Sequence, residues 1–125
     1  MSDKKTVLII EDDSSLNKMY KDALRRAGLD VLTAFNGEEG LKLINTEKPD
    51  LILLDLMMPK IDGFAVLEKM KDNSEVNDIP VIILTNYGDI ENIAKTVEMG
   101  VREFSIKSQN TPDQVIAKIT RILSL

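Results

Sequence analysis

Three short runs of unbroken apolar residues punctuate the chain: Val7-Leu8-Ile9-Ile10, Leu51-Ile52-Leu53-Leu54 and Val81-Ile82-Ile83-Leu84. Each is too short for a helix, and each is apolar at successive positions, so both faces of the segment call for burial. That pattern predicts central strands of a parallel sheet covered on both sides by helices. Two mixed segments, residues 30–35 and 101–106, predict further strands nearer the sheet edges.

Between these runs the period changes to three and four. Leu16, Met19, Tyr20, Ala23, Leu24 and Ala27 line one face of a predicted helix that stops at Gly28. Leu41 and Ile44 mark a second helix after Asn36. Phe64, Leu67 and Met70 mark a third, entered through Asp62-Gly63, and Ile90, Ile93, Ala94 and Val97 a fourth, closed by Gly100. The last helix has the clearest start: Thr111 as N-cap, Pro112 at the first helical position and Gln114 completing a capping box. Val115, Ile116, Ile119, Ile122 and Leu123 then form its apolar stripe. The polar stretch 71–78 reads as a surface loop. Five strand–helix units joined by right-handed crossovers place helices on both faces of one parallel sheet, an α/β three-layer sandwich.

Composition narrows the chemistry. The 125 residues fit one domain, 1–125, with no room for an output domain, and 43% apolar with 30% charged residues is an ordinary globular balance. The formal net charge of −5 argues against direct nucleic-acid binding, which leans on Lys and Arg against phosphate. There is no Cys and no His. That excludes thiol and histidine-based catalytic triads and any thiolate or imidazole metal site. A metal here must be held by oxygen, as Mg²⁺, Mn²⁺ or Ca²⁺ are. No segment approaches a membrane span and no signal peptide precedes the first apolar run, so a cytoplasmic location is the default expectation.

Ligand sites in open parallel sheets lie beyond the carboxyl ends of the strands, near the point where strand order reverses. Acids stand there twice: Glu11-Asp12-Asp13 after the first strand and Asp55 after the third. If those strands are neighbours, as in the flavodoxin-like order 2-1-3-4-5, Asp55 faces Glu11 and Asp12 across a small gap. Gathered carboxylates repel, and burial raises the cost, so the cluster calls for a positive occupant. A hard divalent cation fits, with Lys107 at the end of the fifth strand as a second positive charge. For Asp13 the plainer reading, a cap on the following helix, is preferred. Thr85, ending the fourth strand, and Lys107 would each be weak evidence alone; the joint placement of all five residues carries the weight.

With these residues in view, the chain resembles the receiver domain of bacterial response regulators, in particular the small standalone chemotaxis type, from Val7 to about Leu123. The motifs that carry the resemblance are Val7-Leu8-Ile9-Ile10-Glu11-Asp12-Asp13, Leu53-Leu54-Asp55-Leu56-Met57-Met58-Pro59 and Ile106-Lys107. The resemblance implies that Asp55 is the phosphoacceptor. It implies that Glu11 and Asp12, with Asp55 and the Met57 carbonyl, hold Mg²⁺ (or Mn²⁺). Thr85 would be the switch hydroxyl, Lys107 the conserved-type lysine of the site, and Phe104, three residues earlier, the aromatic switch. Pro59 and Gly63 match the loop after the phosphorylated strand. The implied donor is a phosphohistidine of a sensor histidine kinase or phosphotransfer protein. The implied downstream target is a protein that docks on the fourth helix, fifth strand and fifth helix, where Lys95, Glu98, Arg102 and Glu103 lie. Catalysis would be confined to the chain's own phosphorylation and dephosphorylation.

Three departures from the family pattern matter. Ser108 follows Lys107 where the family usually has Pro, leaving the 107–108 peptide either trans in a rearranged loop or strained. Asn86 stands where a small Ala or Ser is favoured beside the phosphoryl site. Phe104 replaces the commoner Tyr and cannot donate a hydroxyl hydrogen bond. Met57 and Tyr87, bulky residues two beyond Asp55 and Thr85, join Asn86 as candidates for controlling access of donor and water. Among alternatives, a degenerate receiver used only for protein interaction stays open. An Asp-nucleophile hydrolase lacks a lid. A flavin carrier would need a phosphate-cradling loop where Glu11-Asp12-Asp13-Ser14 repels phosphate.

Overall fold

A computed structural model describes residues 4–86, 90–101, 103–108 and 110–125. The elements alternate β1 (Thr6–Ile10), α1 (Ser14–Arg26), β2 (Asp30–Ala34), α2 (Gly37–Glu47), β3 (Leu51–Asp55), α3 (Gly63–Lys71), β4 (Val81–Thr85), α4 (Ile90–Glu98), β5 (Glu103–Ile106) and α5 (Pro112–Leu123). The strands form one parallel sheet in the order β2-β1-β3-β4-β5. The three apolar runs occupy its middle and the two mixed segments its edges. Strand β5 begins two residues later than the 101–106 expectation; Val101 is buried ahead of it, and Arg102 lies outside the described residues.

Successive strand residues point to opposite faces, and the core divides accordingly. Val7, Ile9, Leu51, Leu53, Ile82 and Leu84 pack against Tyr20 and Leu24 of α1 and Val115 and Ile119 of α5. Leu8, Ile10, Ile52, Leu54 and Ile83 pack against Ile44 of α2 and Val66, Leu67 and Met70 of α3. Apart from the first residues of β1 and β4, Thr6 and Val81, every central strand is buried on both sides, which is why it needs no polar alternation.

Helix ends follow their capping residues. Asp13, Asn36, Asp62 and Thr111 each accept backbone N–H bonds in the first turn of α1, α2, α3 and α5. The Thr111–Gln114 capping box is formed in both directions. Gly28, with φ +88°, takes the left-handed conformation after α1.

Three expectations are corrected. On α1 the inward face is turned so that Asn17 is buried while Met19 and Ala27 are exposed. Asn17 can go inside because its Nδ2 donates to two backbone carbonyls. On α4 the apolar positions Ile90, Ala94 and Val97 face outward, and Thr96, whose hydroxyl donates to the Ile93 carbonyl, is the buried residue. The loop after α3 is not wholly on the surface: Val76 is buried in it and joins the α2–α3 core.

Candidate functional site

The strand register brings the candidate residues together. Ile10 pairs with Leu54, so Glu11 and Asp55, the next residues of β1 and β3, emerge side by side at the carboxyl edge. Asp55 pairs with Leu84 and Thr85 with Ile106, which places Thr85 and Lys107 along the same edge. Glu11, Asp12 and Asp55 each offer a carboxylate oxygen within 4.8 Å of the others. Glu11 and Asp55 are buried, Asp12 is exposed, and Thr85 is buried.

Lys107 closes the group. Its Nζ lies 2.7 Å from Glu11 Oε1 and 3.2 Å from Asp55 Oδ2. The other oxygen of Asp55 accepts the Met57 N–H at 3.2 Å. Glu11 Oε2 accepts the Asp13 N–H at 3.1 Å, which fixes the turn into α1. Glu11 Oε1 is fully buried and faces the Lys107 ammonium.

The electrostatics follow from this crowding. Burial first, and the negative charge of Glu11 second, push the Asp55 carboxyl up to about 7, with Lys107 offsetting only part of the effect. Burial by itself depresses the Lys107 ammonium. The carboxylates of Glu11 and Asp55 outweigh burial and hold it above its ordinary value. Tyr20, buried on α1, has its hydroxyl raised, chiefly by burial. One ammonium, facing two of three clustered carboxylates, leaves the cluster short of positive charge. An oxygen-only donor set in which two buried carboxylates share one ammonium suits a hard divalent cation such as Mg²⁺.

The backbone around Asp55 is closely fitted. Gly63 N–H donates to the Leu56 carbonyl at 3.0 Å. A Cβ at Gly63 would stand 2.6 Å from the Asp55 carbonyl oxygen, so only glycine lets α3 begin this close to the acceptor strand. Met57 is exposed beside the site, with its sulfur 4.0 Å from Asn92 Nδ2 of α4. Asn86 is exposed, and its carbonyl accepts the Thr85 hydroxyl at 3.4 Å. Phe104 is half-buried against the core on the α3–α4 side. Tyr87 lies outside the described residues. The 107–108 peptide is trans.

Two residues of the site's framework were not singled out in the sequence. Asn17 Nδ2 donates to the carbonyls of Glu11 at 3.0 Å and Ala34 at 3.1 Å, tethering the acidic turn. Asn110 accepts bonds from Ile106 and Ser105 just beyond β5. Asn17 could have been flagged as a polar residue on the Tyr20–Leu24 face of its helix; nothing in the local pattern marks Asn110.

A family model of the response regulator receiver domain matches residues 7–120. Among curated relatives, the protein described as "Probable transcriptional regulator ycf27" of Guillardia theta is 37% identical over 120 residues, which are 96% of this chain and 46% of that protein. The DNA-binding dual master transcriptional regulator RpaA of Synechocystis is 34% identical over 117 residues, 94% of this chain and 48% of that one. The chain thus spans about half the length of the curated relatives it matches. Among solved structures, the Francisella response regulator 1452 receiver domain superposes with a TM-score of 0.86 at 30% identity, covering 97% of this chain and 98% of that one. The chemotaxis protein CheY4 of Vibrio cholerae superposes with a TM-score of 0.87 at 25% identity, covering 95% and 98%. With the family pattern matched over nearly its whole length and the strand order in agreement, this chain belongs to the response regulator receiver domain family.

Proposed function

We propose that this receiver takes a phosphoryl group from a phosphohistidine of a histidine kinase or phosphotransfer protein onto Asp55, and so switches a protein-binding face built from α4, β5 and α5. The observation that carries the reading is Lys107 Nζ at 2.7 Å from Glu11 and 3.2 Å from Asp55, with a third carboxylate, Asp12, within reach of both acids. A structural ion pair needs one partner for Lys107. Two buried carboxylates on one ammonium, with Asp12 beside them, fit a site arranged for additional positive charge and then for a phosphoryl group.

The Asp55 carboxylate oxygen attacks phosphorus in line, the P–N bond to the donor imidazole breaks, and the imidazole leaves with the bonding electron pair. The donor must come from a partner because this chain has no His. Bound Mg²⁺, held by Glu11, Asp12, Asp55 and the Met57 carbonyl, would neutralise charge shared between carboxylate and phosphoryl oxygens. Lys107 gives its charge to the phosphoryl oxygens once Asp55 is phosphorylated, and the Thr85 hydroxyl supplies a hydrogen bond. The Met57 N–H already fixes the Asp55 rotamer. Hydrolysis of the acyl phosphate resets the domain, with Met57, Asn86 and Tyr87 governing how readily water and donor approach. No turnover of an external substrate is involved.

Thr85 drawn toward the phosphoryl group leaves room for Phe104 to turn further inward. Phosphorylation therefore acts by favouring one of two arrangements of β4, β5 and α4. The outward apolar residues Ile90, Ala94 and Val97 on α4 support that face as the one read by a protein partner. The transcriptional regulators among its relatives fit a downstream role in gene control. The net charge of −5 favours delivering that role through a protein contact. Incubating the protein with Mg²⁺ and acetyl phosphate tests the reading. A mass gain of one phosphoryl group, absent in Asp55→Asn, is expected; an unmodified wild-type protein with every small donor and kinase tried would refute it.

A further inference from the structure

We propose that Asn110 is the positioning residue for Lys107, fixing the end of β5 from which that lysine leaves the sheet. The inference deepens the phosphotransfer reading above and rests on it for the functional consequence.

Lys107 has a demanding task. A long, flexible side chain must hold its ammonium against two buried carboxylates at once. The backbone that carries it therefore has to be fixed, and Ser108 brings no ring to restrict it. The hydrogen bonds show what fixes it instead. On the sheet side, Lys107 N–H donates to the Thr85 carbonyl at 2.9 Å, continuing the β4–β5 ladder by one rung. Strand β5 is the sheet edge, so the N–H and C=O of Ile106 point away from β4 and have no strand to meet.

Asn110 takes both. Its Oδ1 accepts the Ile106 N–H at 3.0 Å, and its own N–H donates to the Ile106 carbonyl at 3.0 Å. The same Oδ1 accepts the Ser105 hydroxyl at 3.0 Å. Ser105 is fully buried, so that hydroxyl has no water to turn to. Residues 105 and 106 are thereby held from the outer side while Lys107 is held from the inner side. The lysine leaves the strand from a backbone clasped on both edges. The essential feature of the Asn110 side chain is an acceptor oxygen at this one point.

The test uses four variants of the intact chain: Asn110→Ala, Asn110→Asp, which keeps the acceptor oxygen, Lys107→Ala, and the double variant Lys107→Ala with Asn110→Ala. Phosphorylation by phosphoramidate is followed across donor concentrations, Mg²⁺ affinity is measured separately, and amide hydrogen exchange is read at Lys107. Asn110→Ala is expected to lower the maximal phosphorylation rate by about 10–100-fold, the size of effect that accompanies misplacement by about an ångström. Half-saturation by donor and Mg²⁺ affinity should stay near wild type, and the Lys107 amide should exchange faster. Asn110→Asp should restore both rate and protection. In the Lys107→Ala background, Asn110→Ala should slow the reaction no further. The proposal is overturned if Asn110→Ala reacts at the wild-type rate with the Lys107 amide still protected. It is equally overturned if the Ala and Asp variants lose rate, Mg²⁺ affinity and melting temperature together. Should wild type accept no phosphoryl group at all, the proposed function fails, and the exchange comparison still decides whether Asn110 positions Lys107.

Discussion

Lys107 Nζ stands 3.2 Å from Asp55 Oδ2 while also touching Glu11, so the central acid of the site shares its counter-ion with a second buried acid. The arrangement is under-neutralised. A fold kept only for stability would gain by replacing one of the acids with an apolar residue. The excess negative charge has measurable consequences whether or not phosphate is present.

The first concerns pH. Asp55 is raised from its ordinary value to about 7 in the folded protein. Between roughly pH 4 and pH 7 the folded state then binds a proton that the unfolded chain has released, so this residue contributes stability at low pH and loses it as pH rises through 7. In metal-free buffer the advantage of Asp55→Asn over wild type should therefore grow from pH 5 to pH 8, by on the order of 1–3 kcal/mol. Paired thermal melts with a chelator present check it, and two parallel pH curves would contradict it.

Divalent cation should have the opposite effect on wild type. Mg²⁺ at pH 8 is expected to raise the melting temperature, because it binds the folded cluster and not the dispersed acids of the unfolded chain. Asp12→Asn should weaken that binding by about tenfold or more, since even outer-shell changes reach that size. Calorimetric titration of both proteins measures the difference.

Asn17 bridges the carbonyls of Glu11 and Ala34 from inside the protein. Asn17→Ala leaves the buried Glu11 carbonyl without its donor, while the Ala34 carbonyl keeps the Glu11 N–H at 3.1 Å, and should cost about 1–3 kcal/mol in denaturant unfolding. Because Glu11 and Asp12 ride on the tethered turn, its Mg²⁺ titration should also shift to higher concentration. A stability loss with an unchanged titration would place Asn17 in the fold alone.

Lys60, in the loop between β3 and α3, has φ +65°, a left-handed conformation that disfavours any side chain with a Cβ. Lys60→Gly should stabilise the protein by about 0.5 kcal/mol, the relief of strain exceeding the extra freedom of the unfolded glycine. Urea denaturation resolves a change of that size.

Which strands lie in the middle of the sheet was legible because burial on both faces leaves an uninterrupted apolar run; the full order came only with the flavodoxin-like topology that the family resemblance implies. The site was legible for a related reason: Glu11, Asp12, Asp55 and Thr85 stand at the carboxyl ends of such runs and Lys107 at the end of the mixed edge segment, and one parallel sheet brings those ends together. The faces of α1 and α4 were not. Periodicity gives the stripe on a helix but not which way it points. At Asn17 and Thr96 a hydrogen bond to a backbone carbonyl lets a polar residue replace an apolar one inside. Val76 escaped notice as a single apolar residue in a polar loop. Asn110 escaped because its partners are backbone groups and a serine, none of which carries a pattern.

Reduction with borohydride after exposure to Mg²⁺ and a phosphodonor, followed by peptide sequencing in a mass spectrometer, addresses the central claim most directly, because it converts a carboxyl that carried an acyl phosphate into an alcohol. The expected product is homoserine at position 55 alone, with yield falling sharply in Lys107→Ala. Reduction at Asp12 or at any other acid, or none in wild type, would contradict the assignment of Asp55 as the phosphoryl acceptor.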